Sequence, residues 1–120
     1  ESSIDKDLKL LVNTQLLSWV IENLIRNAID AIEGPGFVKL ELTDQGKNIR
    51  LDVIDSGKGV PKAQQSAVFR PGFTTKKRGW GLGLSLAKRI VEGYHKGKIT
   101  IAQSELGKGT IFRVMLPKTN

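Results

Sequence analysis

The sequence predicts an α+β fold, a two-layer sandwich in which helices cover one face of a mixed, mostly antiparallel sheet. Three features predict it: a long segment with helical periodicity, two pairs of alternating segments that are each joined by a short turn, and a second helical segment between those pairs. A chain of 120 residues is long enough for one hydrophobic core and too short for two. We therefore expect a single domain over residues 1–120.

The first half of the chain is predicted to form a strand, a long helix and a hairpin. Apolar residues recur at helical spacing from Leu16 to Ala31, and a Gly-Pro-Gly sequence at 34–36 ends the helix. Asp55 directly follows the last predicted strand of this half. The predicted bounds are 8–12 for the first strand, 14–33 for the helix, and 37–42 and 49–54 for the hairpin strands.

The second half is predicted to contain two helices with a loop between them, followed by a second hairpin. Residues 70–81 combine Gly, Pro, Thr and basic residues without apolar periodicity, which predicts a mobile loop. The longer helix opens directly after Gly83. The predicted bounds are 61–69 for a short helix, 84–94 for the longer helix, and 98–103 and 110–116 for the hairpin strands.

The charge of the chain is strongly basic. Its net charge of +7, from 19 Lys and Arg against 12 Asp and Glu, indicates either a solvated basic surface or a polyanionic ligand. Nucleic acid is not the expected ligand, because only residues 76–78 form a dense basic run and aromatic residues make up 6% of the chain.

Cysteine usage and hydropathy bear on the cellular compartment. The chain has no cysteine, so it forms neither a disulfide framework nor a thiolate metal site. No apolar run approaches the roughly 18 residues that a membrane-spanning helix needs, and the segment shows no signal-peptide pattern. We expect a cytoplasmic domain, whose parent chain could carry membrane anchors upstream.

Two asparagines on the first helix are candidate metal ligands. Asn23 and Asn27 lie one turn apart on the polar side of the helix, together with Trp19 and opposite Val20 and Leu24. Amide oxygens suit a hard cation such as Mg²⁺, which takes few protein ligands and keeps waters and substrate phosphates. A solvated polar face is the alternative interpretation.

Asp55, Gly57 and Gly59 are candidate contacts for a nucleotide base. An ionised carboxylate only accepts hydrogen bonds, so Asp55 can accept from the exocyclic amine of adenine but would face the carbonyl oxygen of guanine. The glycines let the backbone approach the base without an intervening Cβ. The pattern favours ATP over GTP, and a simple tight turn is the alternative.

Gly79, Gly81 and Gly83 precede the second helix and are candidate phosphate contacts. Backbone N–H groups at a helix N-terminus bind anions when side chains do not crowd them. The spacing matches neither a P-loop nor the G-x-G-x-x-G pattern of dinucleotide-binding and protein-kinase loops. A flexible linker is the alternative, although glycine alternates here with large apolar residues.

Polar and basic residues of the preceding loop are candidate contacts for the γ-phosphate when that loop closes. They are Thr74, Thr75, Lys76, Lys77 and Arg78. A solvated loop tip is the alternative. Phe69 is expected to anchor the loop through apolar contacts.

Four blocks, at residues 23–28, 55–59, 69–73 and 79–84, resemble the N, G1, F and G2 boxes of the GHKL superfamily. This superfamily includes gyrase, the ninety-kilodalton heat-shock chaperones, sensor histidine kinases and MutL. The resemblance covers nearly the whole chain and includes a last glycine box at 107–110. It implies the Bergerat ATP-binding sandwich with a flexible lid over the nucleotide.

The resemblance also implies roles for single residues. Asn27 matches the asparagine that binds Mg²⁺, Asp55 matches the aspartate that binds adenine, and Thr110 matches a second adenine contact made through water. The residues implied to contact ATP are Asn27, Asp30, Asp55, Gly57, Gly59, Val60, Phe69, Thr74, Thr75, Gly79, Gly81, Leu82, Gly83, Leu84 and Thr110.

One position favours the kinases over the ATPases of this superfamily. The ATPases place a glutamate one turn before the Mg²⁺ asparagine, where it activates water, and this chain has Asn23 there. Glu22 is rotated by about 100° around the helix, and losing a general base removes a rate factor of typically 10²–10⁴. Asn23 is therefore expected to serve the metal and catalysis in a histidine kinase. Asp30 departs from the lysine that many such kinases have there.

The resemblance thus implies the catalytic and ATP-binding domain of a sensor histidine kinase. Its γ-phosphate would be attacked by a histidine on the dimerisation helices of the same parent kinase, while Lys76, Lys77 or Arg78 neutralises the developing charge. The segment has no His-Glu or His-Asp phosphoacceptor block, so the parent is expected to be longer and homodimeric, with a response regulator downstream. The alternatives are an anti-sigma-type serine kinase, a GHKL ATPase with nucleotide-gated dimerisation, and a non-catalytic basic binding module.

Overall fold

Four strands and two helices form the frame of the protein. They are described by a computed structural model for residues 14–70 and 83–117. The helices are α1 (Thr14–Ala31) and α2 (Gly83–Arg89), and the strands are β1 (Val38–Asp44), β2 (Asn48–Asp55), β3 (Lys98–Glu105) and β4 (Gly109–Pro117). The strand predicted at 8–12 and nearly all of the loop predicted at 70–81 lie outside the described residues.

The sheet has the strand order β1-β2-β4-β3, and each of these neighbouring pairs is antiparallel. Both predicted hairpins are therefore confirmed, and β2 and β4 join them in the middle of the sheet. The register sets Asp55 opposite Val38 on one side and opposite Thr110 on the other. Three segments that are distant in sequence consequently meet around Asp55 at one end of the sheet.

Both helices pack on the same face of this sheet, as the sequence predicts. The buried core joins the apolar side of α1 to α2 and to alternate residues of the strands. Its members are Val20, Leu24, Ala28, Val53, Ala87, Ile90, Val91, Ile99, Phe112, Val114 and Leu116. Trp19 differs from the prediction that put it on the polar side, since it packs half-buried against this core. A large ring at the border of the apolar face removes more apolar area from water by turning inward.

The helix ends differ from the predicted bounds for local reasons. The helix α1 stops at Ala31 rather than 33, and the N–H of Ile32 bonds the carbonyl of Ile29 (3.1 Å) to close the last turn. The short helix predicted at 61–69 forms two 3₁₀ turns instead, and α2 continues as a π-helical turn to Tyr94. No helix in the described ranges has both the length and the apolar character to cross a membrane.

The face of the sheet opposite the helices carries a buried ion pair. Asp52 of β2 is 3% exposed and accepts hydrogen bonds from Nε and a terminal nitrogen of Arg113, at 2.9 and 3.1 Å. The Nε of Arg50 lies 3.5 Å from the same carboxylate. Asp52 and Asp55 therefore lie on one strand, three residues apart, and their side chains point to opposite faces.

Candidate functional site

Asp55 is the buried carboxylate on the side of the sheet that the helices cover. Asp55 is the last residue of β2 and is 4% exposed. The Oδ1 atom accepts a hydrogen bond from the N–H of Gly57 (2.8 Å), and the backbone N–H of Thr110 also donates to the carboxylate. Burial raises the pKa of Asp55 above 3.8, and the two hydrogen bonds oppose that rise by favouring the ionised form.

The loop after Asp55 is held between α1 and the turn that joins β3 to β4. A Cβ on Gly57 would lie 2.7 Å from the carbonyl oxygen of Ala31. The N–H of Lys58 donates to that same oxygen (2.9 Å). On the other side, Gly59 has a φ of +79°, and a Cβ there would overlap the backbone of Glu105. Both glycines are therefore required by close contacts with the protein's own backbone, at Ala31 and at Glu105. The approach of these glycines to a nucleotide base stays a prediction.

The polar side of α1 reaches the start of α2. A Cβ on Gly83 would lie 2.8 Å from the Oδ1 of Asn23. Asn27 lies one turn further along α1, towards the contact between Ala31 and Gly57. Asn23 and Ala31 are about 12 Å apart along the helix axis. The polar side of α1 thus connects the Asp55 loop at one end with the first turn of α2 at the other.

The amide side chains on the polar side of α1 have the chemistry of a Mg²⁺–phosphate site. Asn23 and Asn27 supply amide oxygens and are half-buried. Within residues 14–70 and 83–117, no group of three His, Asp or Glu side chains forms a metal site. Amide oxygens together with phosphate oxygens are a ligand set that suits Mg²⁺.

Several other predicted site residues have clear positions. Phe69 ends the second 3₁₀ turn, and its ring packs edge-on against that of Phe112, with centroids 6.1 Å apart. This contact favours the interpretation of Phe69 as an anchor for the loop that follows it. Val60 and Leu84 are half-buried, and Asp30 is exposed on α1. Thr74, Thr75, Lys76, Lys77, Arg78, Gly79, Gly81 and Leu82 lie outside the described residues.

Sequence reasoning missed one residue of this region. The hydroxyl of Ser104, on β3, lies 2.8 Å from the Oγ1 of Thr110 and accepts a hydrogen bond from the N–H of Val60 (2.7 Å). Thr110 is buried and directly opposite Asp55. Ser104 therefore links Thr110 of β4 to the loop that follows Asp55.

The raised pKa of Asp55 predicts a pH dependence of stability. In the folded state Asp55 keeps its proton to a higher pH than in the unfolded chain, where its pKa is 3.8. The folded state therefore binds more protons just above that pH, and this carboxyl lowers stability as the pH rises through its folded pKa. We expect Asp55→Asn to become more stable relative to the native protein from about pH 4 to about pH 7. Urea unfolding across this range measures the difference, and a flat or opposite trend contradicts the prediction.

Comparisons with known proteins agree with this geometry. Residues 12–120 match the family described as histidine kinase-, DNA gyrase B-, and HSP90-like ATPase. The sensor histidine kinase ZraS of Escherichia coli (strain K12) is 44% identical over 101 residues, which cover 84% of this chain and 21% of that protein. The nucleotide-free catalytic domain of the histidine kinase ThkA has a TM-score of 0.87 at 35% identity, and the match covers 98% of this chain and 76% of that one.

A further solved structure is that of the histidine kinase ThkA in complex with the response regulator protein TrrA. It matches 99% of this chain and 33% of that chain, with a TM-score of 0.82 and 33% identity. The chain spans about a fifth of the length of the curated relatives. This chain belongs to the histidine kinase-, DNA gyrase B- and HSP90-like ATPase family, in which it is an ATP-binding catalytic domain of the sensor histidine kinase type.

Proposed function

We propose that this domain binds Mg²⁺-ATP and transfers the γ-phosphate to a histidine on a separate dimerisation domain of the same parent kinase. The observation that carries the proposal is the contact of Asn23 with the start of α2. This contact puts an amide side chain where the polar side of α1 meets Gly83, the first residue of α2.

Adenine is expected beside Asp55, at one end of the polar side of α1. The ionised carboxylate of Asp55 accepts from the exocyclic amine of adenine and would repel the carbonyl oxygen of guanine. Gly57 and Gly59 follow it in the same loop and are predicted to lie close to the base. Thr110 pairs with Asp55 across β2 and β4, and it would contribute a second polar contact to the base.

The phosphates are expected at the start of α2. The helical segment that ends at Tyr94 begins at Gly83, which lies beside Asn23 of α1, and the N–H groups at a helix start can bind anions. Asn27 and Asn23 would hold Mg²⁺ there through their amide oxygens, and the ion, when bound, neutralises phosphate charge. Thr74, Thr75, Lys76, Lys77 and Arg78 remain predicted contacts of the γ-phosphate.

Transfer to a histidine is favoured over hydrolysis because α1 offers no general base at this point. Glu22 is exposed and lies about 100° around the helix from Asn23. A histidine acceptor supplies its own nucleophilic nitrogen, so catalysis requires positioning and charge neutralisation rather than activation of water. The site therefore suits a phosphotransferase whose acceptor lies on another domain.

The partners of the domain follow from this proposal. We propose that residues 1–120 are one domain of a longer, homodimeric kinase that works in the cytoplasm, where ATP is available. Its phosphoacceptor helices would belong to the same parent, and a response regulator would receive the phosphoryl group downstream. The complex of ThkA with TrrA supports this arrangement for a related kinase.

The chemical stability of the phosphorylated product tests the function. The full native chain is incubated with γ-labelled ATP and Mg²⁺, and the protein-bound label is then exposed to acid and to alkali. We expect an acid-labile, alkali-stable label, which identifies a phosphoramidate. An acid-stable label would instead identify a serine kinase, and free phosphate without labelled protein would identify an ATPase.

Asn27→Ala is expected to remove the Mg²⁺ dependence of ATP binding. The substitution deletes an amide oxygen on the polar side of α1 that is proposed to bind Mg²⁺. Adding Mg²⁺ should therefore change the ATP dissociation constant of the variant by less than about twofold. Titration calorimetry with Mg²⁺ and with a chelator measures this ratio. Asn48→Ala, which changes a half-buried asparagine of β2, should keep the native ratio. If Asn27→Ala also keeps it, the metal assignment is wrong.

A further inference from the structure

Ser104 occupies an unusual position at the end of β3. The register between β3 and β4 shifts between Ile101 and Gln103, so one extra residue is inserted into β3. Side chains beyond such a bulge alternate in the opposite sense from those before it. Ser104 is thereby placed opposite Thr110, with its hydroxyl against the hydroxyl of Thr110.

Three polar atoms surround the hydroxyl of Ser104. The N–H of Val60 donates to it over 2.7 Å, the Oγ1 of Thr110 lies 2.8 Å away, and the carbonyl oxygen of Gly109 lies 3.4 Å away. Val60 is itself held by Gln65, whose side-chain amide donates to the carbonyl of Val60 (3.1 Å). The hydroxyl therefore joins the loop after Asp55 to the start of β4.

The single proton of Ser104 can be directed in two ways. It can point at Thr110, and the hydroxyl proton of Thr110 is then available to a third group. Alternatively, Thr110 donates to Ser104, whose own proton must then use the carbonyl of Gly109 at 3.4 Å. That distance exceeds the usual 2.5–3.0 Å of an O–H···O bond. When an acceptor is present, the first arrangement gives the better bonds, because the N–H of Val60 and both hydroxyls point head to tail and polarise one another.

We propose that Ser104 is a positioning residue that makes the hydroxyl of Thr110 a hydrogen-bond donor towards the nucleotide base. The group that fits a donor beside Asp55 is a ring nitrogen with a free lone pair, such as N1 of adenine, reached directly or through one water. Guanine carries N1–H and offers no such acceptor. Asp55 would then select the exocyclic amine, and the chain from Val60 through Ser104 to Thr110 would select the adjacent ring nitrogen. This inference rests on the proposed binding of adenine at Asp55.

The test compares ADP with 1-deazaadenosine diphosphate, in which a C–H group replaces N1. The diphosphates report base recognition without phosphate transfer, and both are titrated into the full native chain. Ser104→Thr and Ser104→Val have the same shape and differ only in the hydroxyl. In Ser104→Val we expect the preference for ADP over the deaza analogue to fall about fivefold, and in Ser104→Thr we expect it to be retained.

The ratio of the two affinities separates base recognition from a purely structural effect. If Ser104 only supports the loop through Val60, Ser104→Val weakens both nucleotides alike and the ratio stays constant, which overturns the inference. If Ser104→Val does not fold, Thr110→Val interrupts the same chain at its other end, and the same fall in the ratio is expected. An unchanged ratio in Thr110→Val also overturns the inference.

Asp55→Asn, measured with ADP, distinguishes failure of the inference from failure of the proposed function. If it weakens ADP while the ratio is constant in Ser104→Val, adenine binds at Asp55 and only the role of Ser104 is wrong. If Asp55→Asn leaves the affinity for ADP unchanged, adenine does not bind at Asp55, and both proposals are wrong.

Discussion

Replacing Asp55 by Asn is expected to weaken ATP binding by about 1.5–3 kcal/mol, a factor of about 10 to 150. The native carboxylate is buried and accepts bonds from the N–H groups of Gly57 and Thr110. An asparagine oxygen can keep one of these contacts, but its NH₂ group would then face either a backbone donor or the exocyclic amine of adenine. Titration calorimetry at neutral pH measures the loss.

Asp52→Asn is the matched control for this substitution. Asp52 lies on the same strand, is also buried at 3% exposed, and points to the opposite face, where it bonds Arg113. Asp52→Asn should lower the free energy of unfolding by about 1–3 kcal/mol and leave the ATP dissociation constant within about twofold. Asp55→Asn should do the reverse, because it relieves the cost of a buried charge while it removes the acceptor for adenine. If the two variants lose ATP affinity equally, Asp55 has no specific role in binding adenine.

Local patterns in the sequence predicted most of the fold. The apolar spacing of α1 and the alternation in the four strands each report contacts that a segment makes along its own length. The order β1-β2-β4-β3 could not be predicted in this way, because pairing of β2 with β4 depends on residues more than 50 positions apart. The sequence still predicted Asp55 at the end of a strand. At this position the pairing of β2 with β1 and β4 brings Val38 and Thr110 beside Asp55.

Ser104 shows why part of the site could not be predicted. Strict alternation from Ile99 and Ile101 assigns Gln103 to the core face and Ser104 to the opposite face. The bulge before Gln103 reverses this assignment. A one-residue insertion has no signature in the polar–apolar pattern, since it depends on how β3 and β4 pair. The same limit applies to Trp19, whose inward packing depends on the space left by neighbouring elements.

Gly109→Ala is expected to cause the largest loss of stability, about 3 kcal/mol or more. Gly109 has a φ of +130°, a backbone conformation that is almost restricted to glycine, and a Cβ there would overlap the carbonyl oxygen of Asp55. Relief of the overlap requires β2 and β4 to move apart at the point where Asp55 and Thr110 face each other. Thermal and urea unfolding should show a midpoint well below that of the native protein.

Gly46→Ala separates backbone strain from the close contact. Gly46 has a φ of +87° in the turn between β1 and β2, and a Cβ there would meet no atom within 4 Å. It should therefore cost only about 1–2 kcal/mol from the left-handed backbone and keep native affinity for ATP. Gly109→Ala should in addition lose ATP affinity at temperatures where it is still folded, because the movement that accommodates the methyl group displaces Asp55. If Gly109→Ala and Gly46→Ala are equally stable and bind ATP equally well, the backbone of Gly109 does not set the position of Asp55.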